Sequence, residues 1–258
     1  MATLECVLLP VMSDNYIYLI HDAETGFTAA IDPAEADAVL EACRARNWAL
    51  THILNTHHHA DHVGGNLTLK DAFDCQILGA AHDAARIPGI DVEVREDTPL
   101  TLNGHDVQIL NVPGHTTGHI AYYFPHDGYL FCGDALFSMG CGRMFEGTPE
   151  QMTASLAKFL QLPDDTLVCP AHEYTEANGR FALTVDAGNE ALQNRMEIVG
   201  LLRARGDATV PSSIGMEKAT NPFLRLDEPA IRAHLDMVDA ADFDVFRELR
   251  HMKDHFRG

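Results

Sequence analysis

Residues 56–62 read Thr-His-His-His-Ala-Asp-His, which sets His57, His59, Asp61 and His62 in the pattern His-x-His-x-Asp-His. In an extended segment residues i and i+2 point the same way, so His57 and His59 can converge on one cation. Asp61 and His62 fall where the chain turns into the next helix and can face a second cation nearby. Nitrogen and oxygen donors without thiolate suit zinc, iron or manganese. One loop cannot complete two metal sites, and three further candidates each follow a strand-like run. They are His115 in Pro113-Gly114-His115-Thr116, Asp134 in Cys132-Gly133-Asp134, and His172 in Pro170-Ala171-His172-Glu173. Together they supply the missing imidazoles and a carboxylate able to bridge two cations.

Such a set needs a scaffold that delivers several strand ends to one place. Strand-like runs occupy 4–9, 15–21, 26–31, 51–55, 75–78, 107–112, 119–124, 129–132 and 166–169, with helical stretches at 64–73, 80–86 and 149–160. Asp32-Pro33-Ala34-Glu35 reads as an N-cap, a proline at the first helical position and a capping-box glutamate, opening a helix to about residue 46. From 173 onward the pattern changes: 173–186, 190–204 and 243–256 read as helices, with no strand among them. Residues 1–172 hold 7 basic and 23 acidic side chains, a balance of −16, against 11 and 15, or −4, in 173–258. A mixed α/β domain over 1–172 and a helical module over 173–258 are therefore expected.

The whole chain of 258 residues carries a net charge of −20, which argues against nucleic acid or an anionic lipid surface as partner. No apolar run approaches the roughly 18 residues of a membrane span. The first basic residue is Arg44, so the basic segment of a secretory leader is missing and a cytoplasmic location is expected. Six cysteines lie far apart without a C-x-x-C pair and are expected as free thiols.

The order Thr-His-x-His-x-Asp-His, lone His, Asp, last His resembles the metallo-β-lactamase superfamily. The resemblance implies an α/β chain folded as a metallo-β-lactamase-like αβ/βα sandwich, with two divalent metal ions at one edge. Zinc is the expected metal, with iron or manganese as alternatives. Carried over, His57, His59 and His115 hold one ion, Asp61, His62 and His172 the other, and Asp134 bridges them. His58 matches no ligand position. His119 is expected beside the ligands. In the superfamily an Asp at the position of Asp32 lies under the metals and orients ligands, a role compatible with capping.

That fold hosts several chemistries, and the rest of the chain narrows them. Gly140-Cys141-Gly142-Arg143-Met144-Phe145-Glu146-Gly147-Thr148, Cys169-Pro170-Ala171-His172-Glu173-Tyr174-Thr175, Thr209-Val210-Pro211-Ser212, Asn221-Pro222-Phe223-Leu224-Arg225 and Arg250-His251-Met252-Lys253-Asp254-His255-Phe256 resemble motifs of the glyoxalase II family. The resemblance spans nearly the whole chain. It implies hydrolysis of S-D-lactoylglutathione and related S-2-hydroxyacylglutathiones, as in methylglyoxal detoxification, by a hydroxide that Asp61 orients. Arg143, Phe145, Tyr174, Arg250 and Lys253 match glutathione-contacting positions; Phe145 stands where several relatives have Tyr. Read from the residues alone, Val245, Phe246, Leu249, Met252 and Phe256 form an apolar stripe. Arg247, Arg250, Lys253 and Arg257 recur on another face, and four cations on one helix of so acidic a chain suit an anionic ligand. A monomer acting on a small glutathione thioester is expected. The runner-up is a mononuclear-iron glutathione persulfide dioxygenase of the same fold, which lacks this helical module. A β-lactamase is disfavoured by the missing export signal, and a non-enzymatic metal binder would have no use for a bridging Asp.

Overall fold

A computed structural model describes residues 4–258, and the chain divides into two units. One comprises the chain up to Asn111 with Gly118–Gly133; the other comprises Val112–Thr117 with Asp134–Gly258.

In the first unit, β1 (Glu5–Val11), β2 (Asn15–His21), β3 (Thr28–Ile31), β4 (His52–Leu54), β5 (Gln76–Ala80) and β6 (Val92–Val94) form one sheet in chain order. The first three strands are antiparallel, and each later step is parallel. Parallel neighbours need crossover connections. These are α1 (Ala36–Arg46) between β3 and β4, α2 (Ala60–Val63) with α3 (Asn66–Phe73) between β4 and β5, and a 3-10 turn, Ala81–Arg86, before β6. Val39, Ala42 and Cys43 of α1 pack with Ile17, Leu19, Ile53, Leu69 and Ile77. The second sheet runs β10-β9-β8-β7, from β7 (Leu100–Leu102), β8 (His105–Asn111), β9 (Ile120–Phe124) and β10 (Tyr129–Gly133), antiparallel throughout. β8 reads His-Asp-Val-Gln-Ile-Leu-Asn and buries Val107 and Ile109, the period-2 pattern of a strand with one covered face. β2 and β9 are buried almost end to end. The sheets meet where Tyr18 packs on Phe131 at 5.5 Å and where the Tyr122 hydroxyl donates to the carbonyls of Asn55 and Leu78.

One expectation fails here. The helix opened by Asp32 begins only at Ala36, with Glu35 at its N-cap and no side-chain cap. Asp32 takes a left-handed backbone, φ 49°, and its carboxylate serves Thr56 and His62 instead.

The second unit opens with a hairpin, β11 (Leu136–Phe137) and β12 (Gly140–Cys141). α4 (Pro149–Phe159) follows, started by Thr148 and Gln151 in a reciprocal capping box with Pro149 at its first turn. Then come β13 (Leu167–Pro170), α5 (Thr175–Val185), α6 (Glu190–Ala204), β14 (Ser212–Ser213), α7 (Ile214–Thr220), α8 (Pro229–His234) and α9 (Asp242–His255). The expectation of no strand after 173 is corrected by β14, whose two residues pair with Leu167 and Val168; two residues carry no readable periodicity. Buried Glu217 and Asn221 of the α7 region bind the β11–β12 hairpin. Glu217 accepts from the Met139 N–H and the Ser212 hydroxyl, while the Asn221 amide donates to the carbonyls of Phe137 and Gly140. In α9, Val245, Phe246 and Leu249 are buried as the stripe required, whereas Met252 and Phe256 are only partly so. Within this unit residues 134–172 pack with the C-terminal helices.

Candidate metal centre and substrate cleft

In the first unit the ligand loop leaves the end of β4 extended. The His57 Nε2 and His59 Nδ1 atoms lie 3.1 Å apart, while His58 turns the other way to the Asp83 carboxylate, 2.9 Å from its Nδ1. This is the alternation of a strand end. Asp61 and His62 sit in α2, and Asn15 at the start of β2 donates to the Asp61 carboxylate at 3.1 Å. Asp32 organises the loop from below. One carboxylate oxygen accepts the Thr56 N–H at 2.8 Å; the other accepts the Thr56 hydroxyl at 2.7 Å and the His62 Nδ1–H at 3.1 Å. With its proton given to Asp32, the Thr56 oxygen accepts from His57 Nδ1 at 3.0 Å. One buried carboxylate thereby sets both His57 and His62 in the tautomer whose Nε2 is a lone pair, as carboxylates behind metal-binding histidines do. His119 stacks on His57 at 4.6 Å. Gly133 approaches so closely that a Cβ there would meet the Thr56 hydroxyl at 2.3 Å.

In the second unit His115, Asp134 and His172 converge. His115 Nε2 is 3.4 Å from one oxygen of Asp134 and His172 Nε2 is 3.3 Å from the other. The His115 Nδ1–H donates to the Arg143 carbonyl at 2.8 Å, again leaving Nε2 as a lone pair. The His172 ring lies parallel to Tyr174 at 4.8 Å, with Phe137 edge-on to both. Two donors at about 2.0–2.1 Å from a tetrahedral ion are roughly 3.3 Å apart. The donor separations of 3.1, 3.3 and 3.4 Å therefore fit shared cations, and Asp134 has one imidazole at each of its carboxylate oxygens. His57, His59, Asp61, His62, His115 and His172 belong to His/Asp groups able to hold metal ions, which suggests a dinuclear site.

A cleft of about 430 Å³ runs through the second unit from His115 and Asp134, past Phe137, Phe145 and Tyr174, to Arg143, Arg250 and Lys253. The cation face of α9 is less free than its spacing suggested. Arg247 is paired with Asp244 and Glu150. Arg250 is buried, held by Asp254 at 2.9 Å and donating to the Cys141 carbonyl at 2.9 Å, with Phe223 beneath. The exposed Arg143 reaches the same Asp254 at 3.4 Å. Burial, then the guanidiniums of Arg250 and Arg143, hold the Lys253 ammonium below its ordinary pKa, a state that an incoming carboxylate relieves. Burial pushes the Cys141 thiol up to about 11 despite Arg250 beside it, so it is no nucleophile at neutral pH. All six cysteines are free.

Sequence reasoning missed Asn15, Thr56 and Asp83. Thr56 opens the Thr-His-x-His-x-Asp-His order, but its link from Asp32 to His57 shows only in the fold; an Asn at a strand end is too common to carry a signal, and Asp83 is marked only by the distant His58 that it binds.

The chain matches the metallo-beta-lactamase superfamily over residues 23–172 and the hydroxyacylglutathione hydrolase C-terminus over 173–256. The hydroxyacylglutathione hydrolase of Methylococcus capsulatus is 54% identical over 255 residues, covering 99% of this chain and 100% of that protein. The protein of the same name from Maricaulis maris is 49% identical, covering 96% of each. Among solved structures, ETHE1 from Myxococcus xanthus aligns with a TM-score of 0.66 at 25% identity, covering 96% of each chain. The mixed sheets with a C-terminal helical region are thus the metallo-β-lactamase fold. The chain belongs to the hydroxyacylglutathione hydrolase family, metal-dependent hydrolases of the metallo-β-lactamase superfamily.

Proposed function

We propose that this chain hydrolyses the thioester of S-D-lactoylglutathione and related S-2-hydroxyacylglutathiones, releasing a 2-hydroxy acid and glutathione. The observation that carries the reading is the cleft itself, which joins metal-facing His115 and Asp134 at one end to Arg143, Arg250 and Lys253 at the other. A glutathione thioester has its reactive carbonyl at one end of such a cavity and two carboxylates to place at the other. In the proposed centre His57, His59 and His115 hold one divalent ion, Asp61, His62 and His172 the second, and Asp134 bridges. Zinc suits this nitrogen-and-oxygen set best, ahead of iron or manganese. When bound, the ion pair supplies a Lewis acid for the carbonyl and a water acidic enough to act as nucleophile near neutral pH.

The chain's own residues do the rest. Arg143 and Lys253 bind the carboxylates of glutathione, with Arg250 held rigid behind them. Phe145 and Tyr174 flank the thiol arm, and the Tyr174 ring keeps the His172 plane fixed by stacking. Asp61, steadied by Asn15, orients the nucleophile. Asp32 and Thr56 keep His57 and His62 in the metal-facing tautomer. The leaving group is a thiolate, stable enough to depart without a strong acid. Residues 1–172 act as the metal-bearing domain and 173–258 as the helical substrate-binding domain. The protein works as a monomer in the cytoplasm, a reducing compartment that suits six free thiols, and not on nucleic acid or membranes. Among the described residues no helix is long and apolar enough to cross a membrane.

The test is cleavage of S-D-lactoylglutathione by the purified protein, followed by thiol release with and without oxygen and after chelation. The expected result is oxygen-independent release that chelation abolishes and zinc restores. Oxygen consumption on glutathione persulfide, with no thioester cleavage, would replace this reading by the dioxygenase.

A further inference from the structure

Segment 143–147 is hydrogen-bonded to segment 114–117 at five points. The Phe145 N–H donates to the His115 carbonyl at 3.1 Å and the Gly147 N–H to the Gly114 carbonyl at 3.1 Å. The His115 Nδ1–H donates to the Arg143 carbonyl at 2.8 Å. Finally, one oxygen of Glu146 accepts both the Thr117 N–H, at 2.8 Å, and the Thr117 hydroxyl, at 2.9 Å. The two segments are in direct contact: a Cβ on Gly147 would come within 2.5 Å of the Gly114 Cα. On the 143–147 side three of these five bonds use backbone groups and the other two use the Glu146 carboxylate, while the Phe145 ring packs edge-on against His115 at 5.2 Å.

We propose that Glu146 is a positioning residue for the metal-facing imidazole of His115. Its carboxylate fixes Thr117, two residues beyond His115, while the Arg143 carbonyl fixes the ring itself. The two grips hold the loop from both sides of the metal-facing atom. Without the Glu146 carboxylate the 114–117 segment keeps three bonds to 143–147 but loses the two at Thr117, and a displaced ring loses either its Arg143 hydrogen bond or its aim at Asp134. The same strut carries Arg143 and Phe145 to the cleft. Glu146 is exposed, so its removal opens no cavity and strands no charge in the core. This inference rests on the reading of His115 as a metal ligand.

The experiment measures zinc affinity by chelator competition, zinc-free thermal stability and steady-state kinetics for Glu146→Ala, Glu146→Gln and His115→Ala. Partners behind metal-binding histidines are worth roughly 10–100-fold in affinity, and Glu146 acts one step further out. Glu146→Ala is therefore expected to weaken zinc about tenfold, with an unchanged zinc-free melting temperature and a kcat that recovers at saturating zinc. Glu146→Gln, whose amide oxygen can still accept from both Thr117 donors, should stay within about twofold of the native protein. Unchanged zinc affinity in Glu146→Ala, when His115→Ala has lost zinc, overturns this inference alone. A Glu146→Gln variant as weak as Glu146→Ala also overturns it, since charge and not hydrogen bonding would then be responsible. So does a fall in zinc-free stability that accounts for the whole effect. Unchanged zinc affinity in His115→Ala overturns the ligand reading, and the inference with it.

Discussion

Asp32→Asn exchanges one carboxylate oxygen for an NH2 group at constant volume, which makes it a clean probe of how the ligand loop is wired. The carboxylate accepts three hydrogen bonds and donates none. An amide must place its NH2 against one of two sets of donors. If the NH2 takes the side facing Thr56 and His62, it donates to the Thr56 oxygen. The Thr56 hydroxyl must then donate to His57 Nδ1, and His62 Nδ1 must also become an acceptor. Both rings change tautomer, and the Nε2 atoms meant for metal carry protons. If the amide takes the opposite orientation, the tautomers survive but the NH2 opposes the Thr56 N–H in a fully buried position. Each buried mispaired donor costs about 1–3 kcal/mol, a factor of roughly 5 to 150. The loss must appear in metal affinity for the first orientation or in folding stability for the second, where roughly 2–4 °C of Tm is expected per kcal/mol. The assay pairs chelator competition with thermal unfolding of the metal-free protein. If metal affinity and metal-free stability both matched the native protein, the assigned tautomers of His57 and His62 would be wrong.

Asp134→Ala removes the carboxylate whose two oxygens face His115 and His172; metal analysis should show fewer than two ions per chain and turnover should collapse, and a variant with two ions and near-native kcat would refute the bridge. Lys253→Ala is a better probe of glutathione binding than Arg250→Ala, because Arg250 is buried and holds the Cys141 carbonyl; a partly exposed charge-assisted contact predicts KM raised roughly tenfold with kcat little changed, and an unchanged KM would remove Lys253 from the substrate. Asp22, buried beside His105, should be an acid-sensitive staple. Burial pushes its carboxyl up, but hydrogen bonds from the Thr25 hydroxyl and Glu24 N–H, and the bond and charge of His105, bring it down to about 2 from the ordinary 3.8. A lowered folded pKa contributes stability that is complete above the ordinary value and is lost as the pH falls through about 2. Asp22→Asn should therefore lower Tm at pH 5 more than at pH 2, and an equal decrement at both would refute the coupling.

The donor types and their order were legible because they depend on neighbours in the chain. His-x-His at a strand end separates its side chains by the two-residue period whatever surrounds it, and His58 duly turns away from His57 and His59. The long helices of the second half and the buried stripe of α9 were readable for the same reason, since 3.6-residue periodicity accumulates over 11 to 15 residues. Strands of two or three residues, such as β6, β7 and β14, hold too few periods to register. Roles defined by a partner far along the chain came from family resemblance or not at all. The local pattern of Pro33 and Glu35 made Asp32 a helix cap, which it is not; only the resemblance placed it under the metals, because its partners, Thr56 and His62, lie 24 and 30 residues away. Helical spacing put Arg250 on a cation face suited to an anionic ligand, but spacing gives direction and not depth; tertiary packing buried it against Cys141, 109 residues distant. Asn15, 46 residues from Asp61, had no local pattern at all. Local periodicity fixes which way a side chain points, and only the packed chain decides what stands in front of it and so whether its charge, its proton or its lone pair is spent on the fold or kept for the reaction.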